Sequence, residues 1–292
     1  MVNNGWSSKL ALERVKNSAR FASQLACEQD HWVFGRRLQL RSIEPGKHRV
    51  QRRLVHFHNN FRSKVKPQAS NMLAMSWSKE VARDAQRWAE ACELLVHDNA
   101  TGRTVDGFGP CGQTAFVSTQ ASPLTWWLEK DHFTYGGSND LKRVGHYTQL
   151  VWHSSHQLGC GLAHCTDARP TPFFNYVCNY CPIGNFPERI GRPYDSGSPC
   201  SGCQGKCKGR RLCTNSCPYG DLWMNCKALQ RSVPGWLCDS RTKKGLERRR
   251  YCRATCKCKG KIVYPPPTSK DEVENNNNGK SSSFALVAMK GE

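Results

Sequence analysis

Residues 145–152 read GHYTQLVW and residues 176–185 read YVCNYCPIGN, and these two stretches decide how the chain folds. The first lies within Val144 to Ser154, where the spacing of apolar residues predicts a helix. The second overlaps Phe173–Tyr180. That segment and Gly159–Cys165 are short and rich in apolar residues, so each predicts a strand.

Three more helices are predicted upstream of the two strands. Residues 124–133 are predicted to form one helix, and residues 53–65 carry apolar residues at helical spacing. Residues 78–92 do the same after Ser78, a residue type that caps helix N-termini. Helices therefore come first and strands later, with cysteines in the strands. This order predicts an α+β fold, an α/β/α sandwich around a small antiparallel sheet.

The positive charge of the chain is concentrated in two flanking segments. The 292 residues carry 43 Lys and Arg against 23 Asp and Glu, a net charge of +20. Residues 1–56 hold a net +7 and residues 200–264 a net +13, whereas residues 57–199 hold only +1. Residues 265–292 are Pro-, Asn- and Ser-rich, which predicts a disordered tail. No run of 18 apolar residues occurs, and this excludes a membrane-spanning helix from the interpretation.

The 17 cysteines indicate an oxidising compartment and therefore a secreted, extracellular protein. Six lie in the central part and ten between residues 200 and 258, and both sets are even in number, as closed disulfide sets require. Cys27 is left over. A zinc site on Cys200 and Cys203 is the alternative interpretation. Residues 6–26 lack the apolar run of a secretory signal, so we interpret the first segment as incomplete or misassigned.

The GHYTQLVW and YVCNYCPIGN stretches resemble the two signatures of the CAP superfamily. Residues 58–62 (HNNFR) and 71–77 (NMLAMSW) resemble its first helix and the segment that follows. Residues 212–217 (LCTNSC) and the last three cysteines of the chain resemble the C-terminal module of the cysteine-rich secretory proteins. The resemblance covers roughly residues 50–264.

The resemblance implies three regions and a disulfide pattern, and the segments on either side complete a division into five. The regions are a basic N-terminal extension (1–49), a CAP domain (50–190), a disulfide-rich hinge (191–213), a cysteine-rich module resembling an ion-channel regulator (214–264) and a disordered tail (265–292). The implied pairs are Cys92–Cys165, Cys111–Cys181, Cys160–Cys178, Cys200–Cys207, Cys203–Cys213, Cys217–Cys258, Cys226–Cys252 and Cys238–Cys256.

The resemblance also implies a surface cleft in which two histidines face each other beside two glutamates. The matching residues are His97, His146 and Glu129, but Gln113 stands where the family has the second glutamate. Neutral imidazoles bind zinc, whereas an amide is a poor metal ligand. The cleft is therefore expected to be structural and to require no cofactor, with zinc binding by His97 and His146 as the alternative. The remaining histidines of residues 50–264 are expected to be ordinary core or surface residues.

The sequence predicts a protein that is not an enzyme. All CAP cysteines are assigned to disulfides, and no Gly-x-Ser-x-Gly elbow occurs. Metal-assisted hydrolysis needs a firmly held metal, which Gln113 disfavours. We therefore assign no catalytic residue.

The basic module is predicted to be the binding element. It has few large apolar residues and needs disulfides to fold, and its charge suits an anionic partner: an ion channel or cell-surface receptor, an anionic glycan or a lipid. Nucleic acid is not expected for an extracellular protein. The cysteine pattern resembles sea-anemone potassium-channel toxins, which use a lysine beside an aromatic residue. The candidate pairs are Lys227 with Trp223, and Lys257 or Lys259 with Tyr251. Alternatively, Trp223 and Trp236 form the small core of the module.

The resemblance implies regulation of ion channels or receptors, as in venoms or reproductive secretions. The alternative is a lipid-, sterol- or glycan-binding CAP protein. Residues 114–123 are predicted to be a short, mildly apolar loop. We therefore rank lipid carriage below channel or receptor binding. Asn99-Ala-Thr101 is a glycosylation sequon, consistent with secretion.

Overall fold

The structure is a computed structural model of the chain, and it describes residues 44–93, 95–117, 123–166, 173–223 and 225–263. The basic extension up to residue 43, with Cys27, and the predicted disordered tail lie outside the described residues.

Four helices form the α part of the CAP region. Helix α1 starts at His48, inside the predicted extension, because Val50 adds a buried turn before Leu54. Helix α2 starts after Ser78, whose side chain accepts a hydrogen bond from the Val81 amide and so confirms the predicted cap. The helices are α1 (His48–Arg62), α2 (Lys79–Glu90), α3 (Pro123–Leu128) and α4 (Leu141–Leu150).

A four-stranded sheet and a small hairpin form the β part. The sheet order is β1-β5-β6-β4; β1 pairs with β5 in parallel, and the other pairs are antiparallel. The prediction of an antiparallel sheet is therefore wrong for its short edge strand. The predicted loop at residues 114–123 is also wrong in part, since residues 114–117 belong to β4. The strands are β1 (Ser76–Trp77), β2 (Thr104–Val105), β3 (Gly109–Pro110), β4 (Gly112–Val117), β5 (Gln157–Cys165) and β6 (Phe173–Cys181), with β2 and β3 forming the hairpin.

The helices cover both faces of the sheet, which gives the predicted sandwich. Helix α2 approaches β5 so closely that a Cβ at Gly159 would lie 2.1 Å from the Ala82 amide nitrogen, and one at Gly161 would lie 2.3 Å from Cα of Gln86. Only glycine fits at these two positions. On the other face, Nε2 of His58 in α1 lies 3.0 Å from the Tyr180 hydroxyl in β6.

The C-terminal part is held together by disulfides rather than by a large apolar core. Five of the eight disulfides in the described residues lie here, and all eight join the pairs that the resemblance implies. The core of the module consists of Leu237 and three cysteines, with Trp223 and Leu229 packed against them. The elements are β7 (Cys207–Lys208), β8 (Leu212–Cys213), α5 (Cys226–Ser232), α6 (Lys243–Tyr251) and α7 (Arg253–Lys257), with a wide helical turn at Gly235–Asp239.

The hinge is bonded directly to the CAP region. The Cys213 amide donates to the Met72 carbonyl at 2.7 Å, and the Ala74 amide donates to the Cys213 carbonyl at 2.8 Å. The Asn71 side-chain amide donates to Asp195, a residue that the predicted boundaries place in the hinge. The hinge is thus fixed on the CAP region over its described residues. None of the described helices has the length and apolar character needed to cross a lipid bilayer.

Candidate functional site

The first half of the cleft joins a carboxylate to the start of the GHYTQ stretch. Glu129 lies in a short turn after α3, and His146 lies in α4. Oε1 of Glu129 accepts from His146 Nδ1 at 2.6 Å, while Oε2 accepts from the amides of His146 and Tyr147 at 3.0 and 2.9 Å. Trp126 stacks on the His146 ring with centroids 5.9 Å apart. This histidine is therefore held on one nitrogen and one ring face.

The second half of the cleft is built around Gln113 in β4. Its Oε1 accepts from His97 Nδ1 at 3.1 Å and from the Asp98 amide at 2.9 Å. Its Nε2 donates to Oδ1 of Asn179 in β6 at 3.0 Å. Every polar atom of the amide thus has a partner. Gln113 orients His97 as a carboxylate would, but without a negative charge.

The electrostatic environment keeps His97 neutral. Burial lowers the pKa of His97, the hydrogen bond to Gln113 partly offsets this, and the nearby Arg103 and His146 lower the pKa further. Direct contacts therefore join His97 to Gln113 and His146 to Glu129, and the placement of the two pairs in one cleft stays a prediction.

The donor set of the cleft falls short of a zinc centre. Since oxygens of Gln113 and Glu129 only accept, both Nδ1 atoms carry protons, which leaves the two Nε2 atoms as metal ligands when the rings are neutral. Two imidazoles are fewer ligands than a tetrahedral zinc site takes from a protein. No group of three His, Cys, Asp or Glu donors forms in the cleft within the described residues. The donor set therefore supports no catalytic step through a metal.

The alternative zinc site on Cys200 and Cys203 lacks thiolates. The sulfurs of Cys200, Cys203 and Cys213 do lie within 4.8 Å of one another. However, Cys203 and Cys213 are bonded to each other, and Cys200, which packs against them, is bonded to Cys207. Disulfide sulfur does not replace the thiolate that binds zinc.

The predicted channel-binding aromatics pack on each other. The rings of Trp223 and Tyr251 stack with centroids 4.9 Å apart and planes inclined by 7°. Trp223 also contacts the module core, so for Trp223 the alternative of a core residue agrees with the structure. Tyr251 remains partly exposed at the surface.

The predicted lysines occupy three different settings. Lys227 is half-buried beside Asp221; burial lowers its pKa, and the acid partly opposes the shift. Lys257 lies 5.6 Å from the ring of Tyr219, not over Tyr251. Lys259 is exposed. Within the described residues, the predicted pairing of Lys257 or Lys259 with Tyr251 has no ring contact.

The structure reveals a cation–aromatic pair that no sequence pattern predicted. The side chain of Trp236 is 46% exposed, so the alternative of Trp236 as a core residue is wrong. The guanidinium of Arg248 lies 4.0 Å from the centroid of that ring, and its Nη2 donates to the Trp236 carbonyl at 3.2 Å. The two residues are 12 positions apart and are joined by the turn at Gly235–Asp239 and by α6, so no local spacing indicated the pair.

The sequon asparagine and the remaining histidines lie in core or surface settings. Asn99 is exposed in a turn, with Oδ1 accepting from the Gly102 amide at 2.8 Å. His58, His153 and His156 are buried, whereas His132 and His164 are accessible. These positions add no further ligand to the cleft.

Comparisons with known proteins give matches for the CAP region and for the C-terminal part of the chain. Residues 55–180 match the CAP model, described as the cysteine-rich secretory protein family, and residues 200–263 match the Crisp model. The chain is 41% identical over 220 residues to cysteine-rich secretory protein 2 of Homo sapiens, covering 73% of this chain and 85% of that protein. It is also 41% identical over 210 residues to the cysteine-rich venom protein helothermine of Heloderma horridum horridum, covering 69% of this chain and 81% of that protein. The solved structure of BmVAL-1 is 26% identical with a TM-score of 0.48, covering 59% of this chain and 96% of that one.

Proposed function

The chain belongs to the cysteine-rich secretory protein family, and we propose that it is a secreted, non-enzymatic binding protein that regulates ion channels through its basic C-terminal module. The family membership, the disulfides and the similarity to a venom protein support this function. The target surface is the acidic vestibule of a cation channel, where the +13 charge of residues 200–264 is attracted.

The observation that carries the proposal is the pair of Arg248 and the exposed Trp236. Tryptophan and arginine are among the residues most enriched at the positions that dominate binding energy at interfaces. Here Arg248 is held by the ring and by a carbonyl of Trp236, so little side-chain freedom is lost on binding. Val233, one turn before Trp236, is also exposed and extends the apolar contact.

The charge around this pair favours a channel vestibule over a neutral partner. Arg241, Lys243 and Lys244 lie on the surface between Trp236 and Arg248 in the chain. An electropositive rim accelerates encounter with an acidic mouth, and the exposed ring then supplies short-range contact. The proposed contact surface is therefore the segment from Val233 to Arg248.

The non-enzymatic assignment rests on the chemistry of the cleft. Gln113 cannot act as a general base, and the carboxylate of Glu129 already accepts three hydrogen bonds. All sixteen cysteines in the described residues are disulfide-bonded, so none of them is a nucleophile. The cleft residues orient one another rather than leaving an activated group for a substrate.

Channel recording with point variants tests the proposal. The full-length protein is applied to calcium, potassium and ryanodine-type channels, alongside the Trp236→Ala and Arg248→Gln variants. We expect each variant to weaken modulation by about tenfold or more. The matched control is Leu128→Ala, which removes an equally exposed apolar side chain from the CAP region and should leave modulation unchanged.

Point variants are sharper than removal of residues 200–264. Leu73 of the CAP region is fully buried against Cys203 and Cys213, so removing the hinge would expose it. Loss of modulation in the control as well as in the variants would overturn the proposed surface. No modulation of any channel, with sterol or heparin binding present, would favour the alternative of a lipid- or glycan-binding CAP protein.

A further inference from the structure

A cleft of about 560 Å³ opens between the β2–β3 hairpin of the CAP region and the C-terminal module. It is separate from the histidine cleft and from the Trp236–Arg248 pair, none of whose residues line it. Its size is in the range of pockets that hold small organic molecules. Residues 104–109 form one wall, and residues of α6 and α7 form the other.

Direct backbone contact fixes the two walls relative to each other. The Gly220 amide donates to the Gly107 carbonyl at 2.6 Å. A Cβ at Gly220 would lie 2.7 Å from the Phe108 carbonyl oxygen, so a side chain there would push the walls apart. Gly107 has a φ of +83°, which favours glycine. The cleft is thus a built feature of the junction.

Four cations converge on this cleft. They are Arg249, Arg250, Arg253 and Lys257, and none of them has a salt bridge within the part of the chain that the structure describes. The groups of Arg253 and Lys257 lie 3.9 and 5.6 Å from the centroid of the same ring, Tyr219. Two like charges on one ring repel each other, and an anion placed between them relieves that repulsion.

Two exposed leucines give the lining an apolar surface. The side chains of Leu222 and Leu246 are 38% and 42% exposed, and Leu222 packs over Gly109 of the hairpin. Asp106 is the one acid in the lining. The cleft therefore offers a concentrated positive end and an apolar surface.

We propose that this cleft binds a small anionic amphiphile, namely an acyl chain that carries a phosphate, sulfate or carboxylate head. The head lies between Arg253 and Lys257, with Arg249 and Arg250 supplying further charge, and the chain lies on Leu222 and Leu246. Guanidinium groups bind such heads with charge-assisted hydrogen bonds. A sulfated glycan would leave both leucines without an apolar partner, so the lining favours the amphiphile. The inference does not depend on channel regulation.

Calorimetric titration of the full-length, disulfide-bonded protein tests the inference with three probes. Octanoyl lysophosphatidic acid, used below its micelle concentration, carries both head and chain. Octanoylglycerol carries the chain alone, and glycerol 3-phosphate carries the head alone. We expect the first probe to bind about tenfold or more tightly than either of the others, because only it contacts both surfaces.

Charge-matched variants separate the cleft from general attraction to a basic protein. Arg253→Gln combined with Lys257→Gln should weaken octanoyl lysophosphatidate binding by about tenfold or more. Arg210→Gln combined with Arg211→Gln removes the same charge from the exposed hinge and should change binding less than about twofold. Asp106→Asn should strengthen binding by about threefold, a gain that a folding defect cannot produce.

The apolar half has its own variant. Leu246→Ser should weaken binding of octanoyl lysophosphatidate and leave glycerol 3-phosphate binding unchanged, and near-ultraviolet circular dichroism checks the fold. Equal losses in the cleft and hinge double variants would overturn the proposal. Absence of binding by the parent protein would overturn it too, as would a heparin hexasaccharide that binds the cleft more tightly than the octanoyl probe.

Discussion

The guanidinium of Arg62 donates two hydrogen bonds to the main-chain carbonyl of Leu73, from Nη2 at 2.7 Å and from Nε at 2.9 Å. The side chain of Leu73 is fully buried against the hinge cysteines Cys203 and Cys213. Arg62 therefore connects the end of α1 to the segment on which the hinge rests. Burial lowers the pKa of Arg62 to about 9, so the side chain keeps its charge at neutral pH.

Replacing Arg62 should destabilise the protein strongly. Five carbonyl oxygens, including those of Leu150, Trp152 and Ser155, lie within 3.1 Å of its guanidinium nitrogens. Arg62→Leu leaves these acceptors unsatisfied, and we expect a loss of about 3–5 kcal/mol in the free energy of unfolding. Guanidinium denaturation followed by tryptophan fluorescence measures it.

A conservative variant distinguishes geometry from charge. Arg62→Lys keeps the charge but cannot reach five carbonyls with one ammonium group, so most of the loss should persist. Arg83→Lys in α2 serves as the control and should cost less than about 0.5 kcal/mol. If Arg62→Lys were nearly as stable as the parent protein, the positive charge alone would suffice, and the several donors of the guanidinium group would not be needed.

The sequence predicted the layers of the fold better than their connections. Helix α2 was predicted because Ser78 and the apolar spacing are local signals. Strands β5 and β6, which pair at the centre of the sheet, were predicted because each is a short run rich in apolar residues. The role of Arg62 has no such signal. An arginine on a helix ordinarily faces solvent. The carbonyls that accept hydrogen bonds from Arg62 belong to residues up to 93 positions away in the chain. Strand β4 was missed because its residues read as a loop until β6 pairs with them.

Acid should destabilise the CAP region through three buried histidines. Burial lowers the pKa values of His58, His153 and His156 to about 4. An unfolded histidine titrates near 6.5, so the unfolded chain binds more protons than the native protein between these values. The stabilisation is complete above pH 6.5 and is lost as the pH falls towards 4. Each histidine should contribute about 1.4 kcal/mol per pH unit in that window.

One substitution measures how much a single histidine contributes to the pH dependence of the unfolding free energy. His58→Gln should reduce the pH dependence of the unfolding free energy by about 1.4 kcal/mol per pH unit, because one titrating group is removed. His132→Gln, at an exposed position, should leave the slope unchanged. Unfolding curves in guanidinium at several values between pH 7 and pH 4.5 give both slopes. An unaltered slope in His58→Gln would mean that His58 is already protonated in the native protein.

The disulfides of the hinge and of the module should stabilise the protein to different extents, according to the length of chain that each encloses. Cys217 and Cys258 are 41 positions apart, whereas Cys200 and Cys207 are 7 apart. In the chain-entropy account, replacing the first pair by serines costs about 4 kcal/mol and replacing the second about 2.5 kcal/mol. Cys217 and Cys258 are also buried, which adds to the difference. Resistance to proteolysis at rising denaturant concentration ranks the two variants, and the opposite order would refute the prediction.

The four cleft residues could be named from the sequence only through the family resemblance. Glu129 and His146 are 17 positions apart, and Gln113 and Asn179 meet only where β4 pairs with β6. The sequence did show the replacement of glutamate by glutamine. It could not show that Gln113 satisfies His97 and Asp98 together, because this depends on the position of the loop between α2 and β2. Neither a local sequence pattern nor the family resemblance indicated the pair of Trp236 and Arg248.

Gln113→Glu should restore a charge beside His97 and strengthen metal binding. A carboxylate at this position raises the pKa of His97, which burial and the nearby Arg103 and His146 now lower. It also makes the Nε2 of His97 a stronger ligand, since a carboxylate partner increases imidazole basicity. We expect zinc affinity to rise by about tenfold or more over that of the parent protein. Calorimetry with zinc measures the affinity, and NMR titration of the imidazole protons measures the pKa.

Gln204→Glu, at an exposed hinge position, adds the same charge and should change neither quantity. A variant that binds zinc no better than the parent would show that the cleft lacks the geometry for a metal, whichever residue occupies position 113.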